Sequence, residues 1–202
     1  TISEKEAIAK IFYSNIVNKV EDFYTSFIKK QEKNVLPSNF NKTKCNVSIF
    51  NSSQDEYETV SEEFLIINQD DIIKNLALHF IENNKYHFYL RIHPNLTNNN
   101  SLQIKNINKI KELNLKNLTI IDSNSSIDTY ALLEVSDKII TFGSTVGIEA
   151  AYMNKVSIVM GFSYYSKLNS CYVAENINDI IKYVESDLKP LNREGAIKYG
   201  YW

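Results

Sequence analysis

What this chain of 202 residues has little of narrows the field. Its two cysteines, Cys45 and Cys171, lie far apart and form neither a CxxC pair nor a zinc-ligand spacing. That excludes a disulfide-framed module and a zinc ribbon, and it fits a reducing cytoplasmic compartment. Three histidines without paired Asp/Glu spacing argue against a metal centre, so no metal is expected. No apolar run reaches the ~18 residues of a transmembrane helix. A formal charge of -2 leaves no basic field for nucleic acid or a membrane surface. Three catalytic signatures are missing. There is no GxxxxGK[ST] phosphate loop, no GxSxG nucleophile elbow, and no GxGxxG after the first strand. Glycine, proline and alanine are sparse, whereas Asn, Ile, Lys and Tyr abound, which is the mark of an AT-rich genome rather than of chemistry. Triplets such as Asn46-Val47-Ser48 and Asn117-Leu118-Thr119 follow from the same bias and say little about glycosylation. The opening residues carry no signal-peptide pattern. Thr1 in place of Met, together with the Tyr201-Trp202 ending, is expected of a piece trimmed from a longer protein.

What is present is a hydrophobic share of 44%, enough for one sizeable core. Residues 1–45 read as an N-terminal helix and linker. Ala7, Ile11, Phe12, Ile16, Val20, Phe23, Phe27 and Ile28 recur at helical steps and predict one long helix over 3–33, with Ser3 and Glu6 as a capping box. Pro37, Ser38 and several Asn then mark a linker over 34–45. From Val47 the pattern changes to short apolar runs alternating with helical stretches. Strands are predicted over 46–51, 86–92, 117–122, 137–142 and 155–160. Helices are predicted near 69–82, 101–114, 127–135, 144–153 and 176–187, with a terminal helix within 191–202. The strands are near-continuous apolar runs, as when helices cover both sheet faces. Residues 46–190 therefore predict an α/β, Rossmann-like domain with an open, mostly parallel sheet, in which ligands bind at the carboxyl ends of the strands.

Reading just past each strand gives a consistent rim: Ser52-Ser53-Gln54-Asp55-Glu56, then His93-Pro94-Asn95 preceded by Arg91, Ser123–Ser126, Gly143-Ser144-Thr145, and Gly161–Tyr165. Small hydroxyl residues, one Gly-led turn and one His-Pro suit a phosphate. Ser125, Ser126 and Asp128 read more simply as helix caps. The most informative stretch runs from Gly143 to Ala151. Gly143 permits a sharp turn, Ser144 or Thr145 caps the next helix, and the first-turn N–H groups can face an anion. Gly147 costs ~1 kcal/mol of helix propensity, which implies a close backbone approach by a ligand or a neighbouring strand. Glu149 follows Thr145 by four residues, ~6 Å along the same helix face, where a carboxylate can accept from ribose hydroxyls. Its apolar neighbours predict a largely buried helix. His93, fixed by Pro94 at a strand end, can donate to a phosphate, and Arg91 alternates onto the same strand face. His79 and His87 read as structural.

The order Arg-Ile-His-Pro, Ile-Asp-Ser…Asp-Thr-Tyr-Ala-Leu-Leu…Ser-Asp-Lys-Ile-Ile-Thr, Gly-Ser-Thr-Val-Gly-Ile-Glu-Ala, Gly-Phe-Ser-Tyr-Tyr resembles the C-terminal, donor-binding half of GT-B glycosyltransferases. It is most similar to bacterial capsular polysaccharide enzymes, the capsule Kdo transferases and the sialyl- and polysialyltransferases, over roughly residues 46–187. That group carries a His-Pro motif and a later Ser-Ser/Thr motif that bind the phosphate of a CMP-sugar. His93-Pro94 and Ser144-Thr145 stand in their places. The resemblance implies sugar transfer from a nucleotide-sugar, by CMP, UDP or GDP, to a polysaccharide or lipid-linked acceptor. It also implies a catalytic role for His93 on the leaving phosphate. Substrate binding falls to Ser52, Ser53, Arg91, His93, Gly143, Ser144, Thr145 and Glu149, with no cofactor. In that group the catalytic acid lies in an N-terminal half not represented here. The implied setting is cytoplasmic, at the inner face of the plasma membrane, with membrane association supplied by regions outside this chain. A CDP-glycerol-type polyol-phosphate transferase and a UDP-sugar 2-epimerase share the same rim logic, and a non-enzymatic partner-binding domain is a further alternative.

Overall fold

The computed structural model describes residues 2–18, 20, 30–54, 68–96, 101–161 and 163–202. Among them β1 (Cys45–Phe50), β2 (Tyr86–Arg91), β3 (Leu118–Ile121), β4 (Lys138–Thr141), β5 (Val156–Met160) and β6 (Tyr172–Ala174) form one sheet in the order β3-β2-β1-β4-β5-β6. Every pairing is parallel. The five strands expected from apolar runs appear within a residue or so at each end. β6 was not expected, because three residues between Cys171 and Glu175 are too few to show a period.

The crossovers are helical: α2 (Gln69–His79), α3 (Leu102–Glu112), α4 (Thr129–Val135), α5 (Val146–Tyr152), α6 (Ile177–Glu185) and α7 (Glu194–Tyr201). Side-chain oxygens start four of them. Asn68 accepts from Asp71 N, Ser101 from Ile104 N, Asp128 from Tyr130 N, and Asn176 from Asn178 N and Asp179 N. Asp128 thus acts as the cap its sequence position implied. Asn114 and Asn154, with φ of 45° and 60°, turn the chain in the left-handed region after α3 and α5. One sheet face buries Val47, Ile49, Phe88, Leu90, Ile140 and Ile158 under α2 and α6. The opposite face buries Phe50, Tyr89 and Ile139 under α4, and Val159 under α5 and α7.

The N-terminal helix differs from expectation. α1 spans Ile2–Val17, so Ser3 lies inside its first turn rather than at its cap. Residues 30–33 are turn and irregular chain, and 21–29 fall outside the described residues. The 3–33 periodicity overshoots the end of α1 at Val17 because apolar spacing in the sequence continues past it. The packing face of α1 also differs: Ala9 and Tyr13 are buried, whereas Ile8 and Ile11 are exposed. The partner is α7, where Gly200 lets Ala9 and Tyr13 approach, and the Tyr13 hydroxyl donates to Ala196 O at 2.7 Å. No helix of the described residues is long and apolar enough to cross a membrane.

Candidate functional site

The strand order reverses between β1 and β4. The chain leaving β1 goes to α2 on one face and the chain leaving β4 goes to α5 on the other, so a crevice opens at their carboxyl ends. Asn51, Ser52 and Ser53 line one side of this point and are buried. Gly143, Ser144 and Thr145 line the other. Ser52 Oγ donates to Phe142 O at 2.7 Å and ties the two sides together.

Two glutamines fix the Ser52 backbone. Gln69 Oε1 accepts from Ser52 N at 3.0 Å, and Gln69 Nε2 donates to Ser52 O at 2.9 Å. Gln103 Nε2 donates to the same carbonyl at 2.8 Å, and its Oε1 accepts from Gln54 N at 3.2 Å. Neither glutamine belongs to a motif. Their signal was position: each sits in the first turn of a helix that follows a strand, Gln69 after cap Asn68 and Gln103 after cap Ser101. Asp55 and Glu56 of the expected rim lie outside the described residues.

Asn51 links this loop to the His-Pro segment, as its Oδ1 accepts from His93 N at 2.8 Å. The His93 ring is part-buried, and its Nδ1 accepts from Asn95 N at 3.3 Å. That bond assigns the proton of the neutral ring to Nε2. Arg91, expected beside His93, instead turns its Nη2 to Ser125 O at 3.2 Å. Burial lowers its pKa to about 10, opposed by the charges of Asp122 and Asp128. A cavity of about 480 Å³ opens next to this Ser125 turn, along edge strand β3 and Pro37–Asn39, away from the β1–β4 point. His87 is a buried structural residue, its Nε2 paired with Thr119 Oγ1 at 2.8 Å. His79 lies on a helix surface, 4.0 Å from Glu185.

The β4–α5 turn has a φ of 82° at Gly143, in the region that a Cβ disfavours. Its cap is looser than expected. Thr145 stands at the N-cap position with helical backbone angles and no capping bond from its side chain, and Ser144 Oγ accepts from Val146 N at 3.4 Å. What fixes the turn lies beyond β5. The Tyr165 hydroxyl donates to Ser144 O at 2.5 Å and lies 3.3 Å from Thr141 Oγ1. A Cβ on Gly147 would fall 2.4 Å from that hydroxyl and 2.7 Å from Thr141 Oγ1. The close approach that Gly147 implied is therefore made by these two side chains.

Glu149 is buried on α5, as its apolar neighbours implied. Its Oε2 accepts from the Tyr130 hydroxyl at 2.8 Å. Burial pushes its pKa above the ordinary carboxylate range, against the lowering effect of hydrogen bonds from Tyr130 and Thr145. The crevice thus gathers Asn51–Ser53, His93 and the Gly143–Thr145 turn. Arg91 diverges toward Ser125, and Glu149 faces Tyr130.

Among the described residues a few buried polar atoms have no hydrogen-bond partner. Arg91 Nε and Nη1, Asn51 Nδ2 and Ser163 Oγ are four of them. These four sit just at or past the carboxyl ends of β2, β1 and β5, and each carries a hydrogen to donate. Buried donors without acceptors cost roughly 1–3 kcal/mol each, more when charged. The remaining unpartnered atoms are Asn46 Oδ1, Asp70 Oδ1, Tyr89 OH and Asn117 Oδ1. No group of three or more His, Cys, Asp or Glu side chains able to hold a metal ion occurs among the described residues.

No protein-family model matches the chain, and no curated protein matches it. Solved structures do. The chain is 15% identical to the beta Kdo 2,4 transferase KpsC of Thermosulfurimonas dismutans, with a TM-score of 0.54, over 98% of this chain and 63% of that one. It is 16% identical to the wall teichoic acid polymerase TagF, with a TM-score of 0.47, over 94% of this chain and 45% of that one. It is 12% identical to a UDP-N-acetylglucosamine 2-epimerase structure from Listeria monocytogenes, with a TM-score of 0.48, over 92% and 54%. The chain therefore spans less than two thirds of each of these proteins. What it shares with the KpsC structure, at this identity, is its fold, a doubly wound α/β unit.

Proposed function

We propose that this chain is the nucleotide-sugar-binding part of a glycosyltransferase of bacterial surface-polysaccharide synthesis, and that the donor phosphate sits at the β1–β4 crevice. The observation that carries the reading is the pair of buried, unpartnered donors at the carboxyl ends of β1 and β5, Asn51 Nδ2 and Ser163 Oγ. The Gly143–Thr145 turn and His93 add backbone and ring N–H groups to the same edge. In this reading these donors stabilise negative charge as it develops on the leaving nucleotide phosphate, in a site where little must reorganise. His93 presents Nε2–H toward that phosphate. Glu149 accepts from the ribose, with Tyr130 holding its Oε2. Ser52 and Ser53 hold the near wall of the crevice. The resemblance of His93-Pro94 and Ser144-Thr145 to motifs that bind a CMP-sugar puts a CMP-sugar donor ahead of UDP and GDP donors in this reading. The acceptor, a polysaccharide or lipid-linked saccharide, and the catalytic base belong in this reading to regions outside the chain.

Calorimetric titration with CMP, UDP and GDP tests the assignment. Binding at micromolar to millimolar concentration, abolished by His93→Ala with the fold retained, is the expected result. No heat with any of the three at millimolar concentration, from protein with an intact circular dichroism spectrum, removes the donor-site assignment.

A further inference from the structure

The nucleotide site proposed above depends on how the Ser144–Thr145 peptide is oriented, and its orientation is set from outside the β4–α5 segment. We infer that Tyr165 is a positioning residue for phosphate binding, acting through the Ser144 carbonyl. This inference rests on the donor-site reading.

Three observations converge on the Tyr165 hydroxyl. It donates to Ser144 O at 2.5 Å. It lies 3.3 Å from Thr141 Oγ1, the last residue of β4. It also fills the space where a Cβ of residue 147 would stand, so the glycine there is required by the phenol. The ring has no freedom to leave. It is buried at 2% exposure among Ile148, Ala151, Val159 and Ala196, with Tyr199 edge-on at 6.1 Å. Ser144 O also accepts from Gly147 N at 3.0 Å, so two donors hold this carbonyl against the protein.

The consequence follows from peptide geometry. In a trans peptide the C=O and the following N–H point in opposite directions. Holding Ser144 O inward toward Tyr165 therefore turns Thr145 N–H outward, to the crevice. The Gly143 φ of 82° lets the chain reach this arrangement. The phenol then acts as a stop that keeps one backbone donor aimed at an incoming oxyanion, with no contact of its own to the ligand. A side chain in the loop after β5 thus governs a donor in the loop after β4.

The test compares a nucleotide with its nucleoside, because only the nucleotide presents a phosphate to Thr145 N–H. With CMP and cytidine as probes, Tyr165→Phe retains the ring and removes the hydroxyl. Its expected effect is about a tenfold loss of CMP affinity, the size of one hydrogen bond to a charged group, with cytidine affinity unchanged. Thr141→Val leaves the ring in place and removes only the neighbouring hydroxyl. A smaller loss of about two- to threefold, again for CMP alone, is expected, and this variant decides the matter if Tyr165→Phe does not fold. Equal affinity for CMP in wild type and variant overturns the inference, as does a parallel loss for CMP and cytidine, which marks a packing role. If wild type binds neither CMP, UDP nor GDP, the donor-site reading falls and takes the inference with it.

Discussion

Single residues here carry opposed demands, and Asp70 is the sharpest case. It sits in the first turn of α2, nearly fully buried, with Oδ2 accepting from Asn106 at 3.3 Å and Oδ1 unpartnered. Burial raises its pKa from 3.8 to about 6, with Asn106 opposing. A carboxyl whose pKa is higher folded than unfolded binds its proton more tightly in the native state. Its stabilising contribution is complete below pH 3.8 and is lost as pH rises through about 6. Asp70→Asn is therefore expected to stabilise the protein at pH 7.5 by roughly 1–3 kcal/mol and to have little effect near pH 4. Urea midpoints at the two pH values check this; a variant weaker at pH 7.5 refutes it. Gly143 makes a second demand. Any other L-residue must adopt a φ near 82°, so Gly143→Ala is expected to cost about 1–2 kcal/mol in denaturant unfolding and to weaken nucleotide binding along with it. Gly143 announced its role in the sequence, since a lone glycine between an apolar run and a hydroxyl pair has few other uses. Asp70 did not. An acid just after an Asn cap looks like an ordinary helix start, and its burial against α3 is a tertiary fact.

Elements are held by devices that local sequence only partly reveals. Lys138, the first residue of β4, donates to Tyr183 O at 2.9 Å, to Ser186 O at 2.6 Å and to Val184 O at 2.5 Å. One ammonium group thus closes the C-terminus of α6, where the carbonyls lack helical partners and the helix dipole favours a cation. Burial lowers its pKa, because withdrawal from water disfavours the charged form. Lys138→Met is expected to destabilise the fold by about 1–3 kcal/mol and to speed amide exchange at Lys182–Ser186 ahead of the sheet, as hydrogen–deuterium exchange would read it. Strands β1, β2, β4 and β5 are plain from apolar runs because both of their faces are buried. α1 was misread for the converse reason. A helical period shows which residues share a face but not whether that face is covered, and α1 turns Ala9 and Tyr13 inward while leaving Ile8 and Ile11 exposed. The glutamines over Ser52 and the phenol under Ser144 were hidden because each acts across more than fifteen residues of chain.

At the scale of the whole molecule, the first and last helices close on each other. α1 and α7 run antiparallel, with Lys5 Nζ donating to Tyr201 OH at 3.1 Å at one end and Tyr13 reaching Ala196 toward the other. Tyr13 also stacks on Tyr152 of α5, with ring centroids 3.9 Å apart, so the pair is docked onto the same helix that follows the Gly143 turn. Gly200→Val places a side chain 2.7 Å from the Tyr13 ring and 3.2 Å from Ala9 Cα. The expected outcome is an undocked α1, cut early by protease, with the parallel sheet still folded by circular dichroism. Loss of all structure would instead mean that the pair is integral to the core.

The antiparallel pairing of α1 with α7 also fixes how the protein answers to force. Traction applied between residue 2 and Trp202 would load the pair at its open end and peel the helices apart one turn at a time, a zipper geometry in which few contacts resist at once. The strands, all pointing one way and tied side to side, would feel tension only after that zipper is spent. In an optical trap the molecule should lengthen first in a small, low-force, reversible step and only later in a single large one.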